Sequence, residues 1–269
     1  MTRALLTMLV LILWGGCTPD LSNSPAAQDD DDVAADDDDA TSASVGCFTI
    51  GEDFWNDGFY VYRLDVEQAT AEVVAGPMTT EPSLMPTLAA AGGELLGYDA
   101  AAQAILRVDA QTAAFSYTSP SLTATETAAG LVDVDEGLLM PVNVSLTGTE
   151  LRWFGSADSL GGAPAGTLTL DASAEAYATD GDELVGVAGT TLLRWRLGGV
   201  SPQVLDPVPL DDLVGAPYGL EVVGDEVVVL VTDSVYRFDR LTGALISGPV
   251  EIRAPGDAWL FRGLVCLPE

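Results

Sequence analysis

Short apolar stretches recur along the chain between residues 47 and 266, and turn-forming residues separate them. Typical examples are Leu184-Val-Gly-Val187 and the run from Val227 to Val231, each bounded by glycine and carboxylate residues. The stretches are short and rich in β-branched residues, and they do not show the periodicity of an amphipathic helix. Short apolar runs that are separated by turn residues are typical of strands. The pattern therefore predicts an all-β fold built from many short strands.

One arginine recurs in five of these stretches, with gaps of 44, 45, 42 and 43 residues, at Arg63, Arg107, Arg152, Arg194 and Arg237. A turn with glycine and carboxylate residues precedes each arginine, at Gly51-Glu52-Asp53, Gly92-Gly93-Glu94, Asp135-Glu136-Gly137, Gly181-Asp182-Glu183 and Gly224-Asp225-Glu226. Each unit has room for four strands, and a fixed period of this length is typical of propeller blades. We predict a five-bladed β-propeller of four-stranded blades over residues 46–269, with a six-bladed or incomplete ring as the alternative.

The last unit carries the most specific motif. Ser234-Val-Tyr-Arg-Phe-Asp-Arg-Leu-Thr-Gly243 resembles the repeat of quinoprotein-type (PQQ-like) β-propellers, in which an Asp-x-x-Thr-Gly turn joins the third and fourth strands. Asp65 and Asp109 keep the aspartate, whereas the units around Trp153 and Trp195 lose it. Quinoprotein dehydrogenases are longer than this chain, and we expect no cofactor here.

The repeated arginine is predicted to lie on the third strand of each blade. Both faces of a blade pack on neighbours, so we expect each arginine to be partly buried and paired with a repeat carboxylate of the same or the next blade. The alternative is an arginine ring that binds an anionic ligand. Third strands lie far from the central axis, which favours the structural interpretation.

Two cysteines lie at opposite ends of the repeat region. Phe261-Arg-Gly-Leu-Val-Cys266 resembles the predicted first strand Tyr218-Gly-Leu-Glu-Val-Val223, where a sixth blade would begin, and Cys47 falls in the predicted first strand of blade one. We predict a Cys47–Cys266 disulfide that closes the ring in an oxidising compartment. Free thiols are the alternative, as is a bridge through Cys17.

The N-terminus predicts export. Arg3 precedes the apolar run Ala4 to Trp14, and Gly15-Gly16-Cys17 follows, so residues 1–17 resemble a bacterial lipoprotein signal apart from Trp14. The resemblance implies lipidation of Cys17, and Thr18 favours the outer membrane. Residues 18–45, with two aspartate runs, predict a disordered, extended tether. The alternative is a calcium-binding tract, although the EF-hand ligand pattern is missing.

Composition narrows the function. The formal charge is −31, with ten arginines, no lysine and no histidine. The negative charge argues against binding of nucleic acid and against binding of anionic lipid through a basic patch. The absence of histidine argues against a metal site. Histidine is also the commonest general base, so its absence disfavours many catalytic mechanisms. We expect a monomer.

The favoured function is non-catalytic binding of an envelope protein or glycan. Long connections between blades share one face, and their candidate binding residues are Leu84, Met85, Leu210, Leu213 and Tyr218. Those apolar side chains could instead plug the loops onto the blade ends. One alternative is a carboxylate-dependent carbohydrate-active enzyme, although Glu126, Glu175, Asp211 and Asp212 lack evident partners. The other is an outer-membrane assembly factor, by analogy with the propeller lipoprotein of the barrel-assembly machinery.

Overall fold

A computed structural model describes residues 45–53, 58–135, 137–144, 148–198, 201–255 and 258–268. The predicted signal, Cys17 and nearly all of the predicted tether lie outside the described residues. Among the described residues, antiparallel strands form five sheets, and the only helical element is a single 3-10 turn at Ala157–Ser159. The predicted five-bladed β-propeller is confirmed.

The strands follow the chain in blade order. Blade one takes β1 (Val45–Asp53), β2 (Gly58–Asp65) and β3 (Thr70–Met78), and blade two takes β4 (Leu84–Ala91), β5 (Glu94–Asp99), β6 (Ala104–Asp109) and β7 (Phe115–Thr118). Blade three contains β8 (Glu126–Ala128), β9 (Val132–Val134), β10 (Gly137–Val144), β11 (Gly148–Phe154) and β12 (Gly166–Leu170). Blade four contains β13 (Ala176–Asp180), β14 (Glu183–Ala188), β15 (Thr191–Arg196), β16 (Gln203–Val204) and β17 (Val208–Pro209). Blade five contains β18 (Gly219–Val223), β19 (Glu226–Val231), β20 (Ser234–Asp239) and β21 (Leu245–Glu251), and β22 (Ala258–Pro268) returns to blade one.

Ring closure differs in one respect from the prediction. Strand β22 does not begin a sixth blade, because it pairs with β1 and becomes the inner strand of blade one. Cys47 therefore lies on the second strand of its blade and not the first. It faces Cys266 across the β1–β22 pair, and the predicted disulfide between them is confirmed.

The predicted first turn of blade one is also wrong. Gly51 lies inside β1. A Cβ atom at this position would come within 2.8 Å of the Tyr62 ring and 2.9 Å of the Phe261 ring. The glycine is there for a close approach and not for a turn. The segment Gly51-Glu52-Asp53 resembles the turns of the other blades because glycine is favoured both in a turn and at a close approach.

The hydrophobic core lies between the blades. Five clusters of buried residues each combine side chains from two neighbouring sheets. Both faces of a central strand are consequently buried, as in β19, where Val227 to Val231 are all buried. This explains why these strands read as continuous apolar runs and not as alternating ones.

In blade five, Asp239-Arg-Leu-Thr-Gly243 forms the turn between the third and fourth strands. Asp239 accepts hydrogen bonds from the backbone N–H groups of Leu241 and Thr242 and from the Thr242 hydroxyl at 2.7 Å. Asp109 makes the equivalent bonds in blade two, including one from Thr112. The threonine hydroxyl is the main cause that lowers the pKa of each aspartate.

Candidate functional site

The repeated arginines lie on the third strand of every blade, on β2, β6, β11, β15 and β20. In three blades the arginine pairs with a glutamate at the start of the second strand, at Arg107–Glu94 (2.5 Å), Arg194–Glu183 (2.6 Å) and Arg237–Glu226 (2.7 Å). The glutamate stands two residues before the position directly opposite the arginine, so both side chains share one face of the sheet.

Blade three uses another partner. Leu138 occupies the position of the glutamate, and Arg152 instead binds Glu126 of the inner strand at 2.5 Å and Glu150 at 3.3 Å. The hydrogen bond from Arg152 is the largest of the causes that lower the pKa of Glu126. Glu126 was expected to lack a partner, and that expectation is wrong. In blade one, Arg63 lies directly opposite Glu72 in the strand register.

These contacts bear on the two interpretations of the arginines. Arg107, Arg152, Arg194 and Arg237 have carboxylate partners within their own sheets, and their side chains are mostly buried. Arg107 also reaches Asp158, near the next blade, at 3.2 Å. The arrangement fits the structural interpretation and not a ring of arginines around the axis.

The candidate binding residues divide into two groups. Leu84, Leu210 and Leu213 are 2%, 0% and 3% exposed and belong to the interblade core clusters. The expectation that these three are exposed is wrong, because they anchor the connections onto the blade ends. Met85 and Tyr218 are half-buried. Both lie at the end of the propeller where one blade connects to the next, which we call the loop face.

Two side chains and one backbone carbonyl, from three blades, meet near the axis at the loop face. Arg262 of β22 places its guanidinium carbon 5.4 Å from the centroid of the Tyr218 ring, just before the inner strand of blade five. One of its Nη atoms donates to the carbonyl oxygen of Leu84, at the start of the inner strand of blade two, at 3.4 Å. We call Arg262, Tyr218 and the Leu84 carbonyl the axial site.

A β-bulge aims Arg262 into this site. Phe48 pairs with Val265 and Ile50 pairs with Arg262, so β22 has one residue more than β1 between the two pairs. Simple alternation counted from Leu264, which packs towards blade five, would turn Arg262 towards the same cluster. The bulge moves Phe261 onto that side and leaves Arg262 on the side of Ile50, towards blade two.

Gly263 makes the bulge possible. Its φ is 69°, and a Cβ atom there would lie 2.1 Å from Cγ of Leu88. The hydroxyl of Thr49 donates to the Gly263 carbonyl at 2.7 Å and fixes the bulged backbone. The Gly263 N–H in turn donates to the Tyr218 carbonyl at 2.6 Å. This hydrogen bond joins the backbone of the bulge to the backbone of Tyr218.

Two acids lie on inner strands further along the axis. Glu221 of β18 is 9% exposed and accepts hydrogen bonds from the backbone N–H groups of Val222 at 2.9 Å and Cys266 at 3.1 Å. Burial raises its pKa to about 8, and the charge of Asp133 contributes. Burial also raises the pKa of Asp133 on β9. A carboxyl group protonated near neutral pH is able to donate a proton or a hydrogen bond.

The flank of blade three holds a separate apolar cavity. Its volume is about 350 Å³, and Leu139, Leu151, Trp153 and Leu168 line it together with the backbone around Gly166. Among the described residues, no group of three or more acidic or cysteine side chains is arranged to hold a metal ion. In that same part of the chain, no helix has the length and hydropathy to cross a bilayer.

Comparison with known proteins supports the fold only. The chain matches no established protein family, and no curated protein is significantly similar to it in sequence. A chain of the nidogen/laminin complex is 12% identical, with a TM-score of 0.50 over 82% of this chain and 98% of that one. Glutaminyl cyclase from Myxococcus xanthus is 15% identical, with a TM-score of 0.47 over 61% of this chain and 69% of its own. A putative 6-phosphogluconolactonase from Bacteroides fragilis is 11% identical, with a TM-score of 0.45 over 86% and 100%.

Proposed function

We propose that this chain is a non-catalytic, lipid-anchored protein of the bacterial cell envelope that binds a partner protein or glycan through its loop face. Lipidation at Cys17 anchors it in the outer membrane, and residues 18–45 act as a tether. The observation that carries the proposal is the axial site, where a half-buried aromatic ring and a cation from different blades converge at the end that carries the long connections.

The connection between β3 and β4, which leads into the loop face, is held in place by several hydrogen bonds. Asp99 accepts a hydrogen bond from the Ser83 N–H at 3.2 Å and another from the Tyr117 hydroxyl at 2.9 Å. Tyr117 also contacts the Thr80 hydroxyl at 3.3 Å. A loop held at several points loses little conformational freedom when a partner binds, which favours affinity.

Site-specific photocrosslinking in intact cells tests the partner-binding function. A photoreactive amino acid replaces Tyr218 on the loop face, and in a matched control it replaces the exposed Gln111 in a turn at the opposite end. We expect one adduct of defined mass from position 218 and none from position 111. No adduct at position 218, or the same adducts from both positions, would contradict binding through the loop face.

Fractionation tests the anchor separately. Cys17→Ser should move the protein from the detergent-extracted membrane fraction to the soluble envelope fraction, because the acylated residue is lost. Unchanged membrane association of the variant would refute lipidation at this position.

A carbohydrate-active enzyme is the second candidate, and the Glu221–Asp133 pair is the observation that favours it. Both acids lie on inner strands, and Glu221 has the raised pKa expected of a general acid. Against this role, both Glu221 oxygens already accept backbone hydrogen bonds. Hydrolysis of aryl glycosides that disappears in Glu221→Gln, without loss of folding, would favour the enzyme. A role as an outer-membrane assembly factor is a special case of partner binding, and the identity of the crosslinked protein would decide it.

A further inference from the structure

We propose that the axial site recognises a free carboxylate at the C-terminus of a peptide segment carried by the partner. This inference rests on the proposed partner-binding function and names the chemical group that the loop face recognises. The groups involved are the Arg262 guanidinium, the Tyr218 ring and the Leu84 carbonyl.

Arg262 differs from the repeated arginines in its partners. Arg107, Arg152, Arg194 and Arg237 each bind a glutamate of their own sheet. No carboxylate of the described residues lies within salt-bridge distance of Arg262, although its side chain is half-buried in a protein with 41 acidic residues. A partly desolvated cation without a counter-charge is costly, and an anion from a ligand would offset that cost.

The Arg262 guanidinium keeps N–H groups that make no hydrogen bond to the described residues. One Nη atom makes a long hydrogen bond of 3.4 Å to the Leu84 carbonyl, and the side chain makes no other hydrogen bond to the described residues. The Tyr218 ring centroid lies 5.4 Å from the guanidinium carbon, within the range of a cation–π contact. Guanidinium and carboxylate groups match as planar forks with parallel hydrogen bonds, so a carboxylate is the anion that best uses the remaining N–H groups.

The net charge of the protein favours a peptide over an acidic glycan as the molecule that presents this carboxylate. At a net charge of −31, the surface repels polyanions such as uronic acid polymers and attracts neutral or basic segments. A peptide C-terminus presents a single carboxylate, and the rest of the segment can be neutral or basic. A polyanionic glycan would have to bring many like charges towards the same acidic surface.

Titration of paired peptides tests the inference on the full-length, detergent-solubilised protein. The probes are two lysine-containing pentapeptides of identical sequence with a trifluoroacetyl cap, one with a free C-terminal carboxylate and one with a C-terminal amide. Broadening of the fluorine resonance reports weak binding. We expect the free acid to bind at least about tenfold more tightly than the amide, because a charge-assisted hydrogen-bond pair is lost.

Variants assign the effect to the site. Arg262→Gln should abolish the preference for the carboxylate. Arg262→Lys should reduce it while keeping the charge, and it serves as the informative variant if the glutamine variant fails to fold. Arg253→Gln is the matched control, since Arg253 is exposed, lies outside the axial site and has no salt bridge to the described residues. The control should bind like the wild type.

Several outcomes would overturn the inference. Equal binding of acid and amide would do so, as would an Arg262→Gln or Arg262→Lys variant with an unchanged preference. Tighter, Arg262-dependent binding of an oligogalacturonate probe would show that an acidic glycan is the ligand instead. Failure of the proposed function is distinguishable, because it appears as a missing crosslink at Tyr218, whereas a partner crosslink without carboxylate selectivity refutes only this inference.

Discussion

Replacing Glu221 by glutamine tests whether the inner strand of blade five carries a carboxyl group that remains protonated near neutral pH. The side chain is 9% exposed, and burial is the main cause that raises its pKa from 4.5 to about 8. Asp133 adds a smaller repulsion. The backbone N–H groups of Val222 and Cys266 oppose the shift by donating to the carboxyl oxygens, but they do not compensate for the lost hydration.

The sign of the effect follows from proton binding. The pKa of Glu221 is higher in the folded than in the unfolded protein, so the native state holds an additional proton between pH 4.5 and about 8. The stability contribution is complete below the unfolded pKa and is lost as the pH rises through this window. At about 1.4 kcal/mol per pH unit, the free energy of unfolding should fall on the order of 5 kcal/mol across it.

Because of its composition, the chain has few other groups that titrate in this pH window. The chain has no histidine, so the residue that normally dominates titration between pH 5 and 8 is missing. Asp133, whose pKa is also raised, acts in the same direction. Ordinary carboxylates, with pKa values of about 4, are largely ionised above about pH 5.5.

Denaturant unfolding of the oxidised protein at about pH 5.5, 6.5 and 7.5 measures the slope. Glutamine cannot ionise, so Glu221→Gln should lose most of the pH dependence. Its amide replaces an acceptor by a donor that faces a backbone N–H, which should cost about 1–3 kcal/mol at low pH. The two stability curves should therefore cross as the pH rises. Glu175→Gln, at an exposed position before β13, is the matched control and should keep the wild-type slope.

A wild-type protein whose stability is flat over this range would show that Glu221 is already ionised in the native state, and the burial argument would then be wrong. A slope that persists in Glu221→Gln and disappears in Asp133→Asn would assign the titration to Asp133.

Three further predictions concern the architecture. Reduction of the Cys47–Cys266 disulfide, which spans a sequence separation of 219, should lower the free energy of unfolding by nominally ~5 kcal/mol, and equal denaturant midpoints with and without reductant would refute its role in closure. Arg152→Ala should lower the melting temperature by several degrees, because the mostly buried carboxylate of Glu126 loses its cationic partner; an unchanged melting curve would mean that this ion pair is energetically neutral. Gly51→Ala should cost about 1–3 kcal/mol through contact with the neighbouring rings, whereas Gly155→Ala, with open space around the new methyl group, should cost much less; similar losses in both would contradict the packing argument.

The repeat could be predicted because it is written locally in every blade. The arginine and the apolar runs recur in every unit, and the glycine turn recurs in blades two to five, so each unit can be recognised from its own stretch of sequence. The third-strand position of Arg107 and Arg237 follows from that period. Their partners, Glu94 and Glu226, belong to the turn segments that precede the second strand, so the pairing was also within reach of the sequence.

Blade one could not be divided correctly from sequence alone. Its inner strand comes from the opposite end of the chain, so β1 takes the position of a second strand although it is the first strand of the chain. Gly51 then resembles a turn residue when it is a contact residue. The error concerns which strand pairs with which, and that depends on contacts across more than two hundred residues.

Arg262, the cation of the axial site, was missed for a different reason, although Leu84 and Tyr218 were among the predicted binding residues. Arg262 stands in a segment that resembles other first strands, and the side chain would face blade five if the strand alternated regularly. Its direction depends on the bulge at Gly263, which only the register with β1 reveals. Glu221 did leave a signal, since a carboxylate in the middle of the apolar run Gly219–Val223 is unusual for a strand buried on both faces.

Strand β22 connects ring closure with the axial site. Cys266 joins the disulfide through its side chain and donates its backbone N–H to Glu221, while Gly263 and Arg262 of the same strand form the bulge and the cation of the site. Residues from two neighbouring blades complete the site, and they meet Arg262 only when β22 is seated in blade one. Any ligand that binds Arg262 together with Tyr218 therefore binds the closed ring better than an opened one, and by mass action it should stabilise closure.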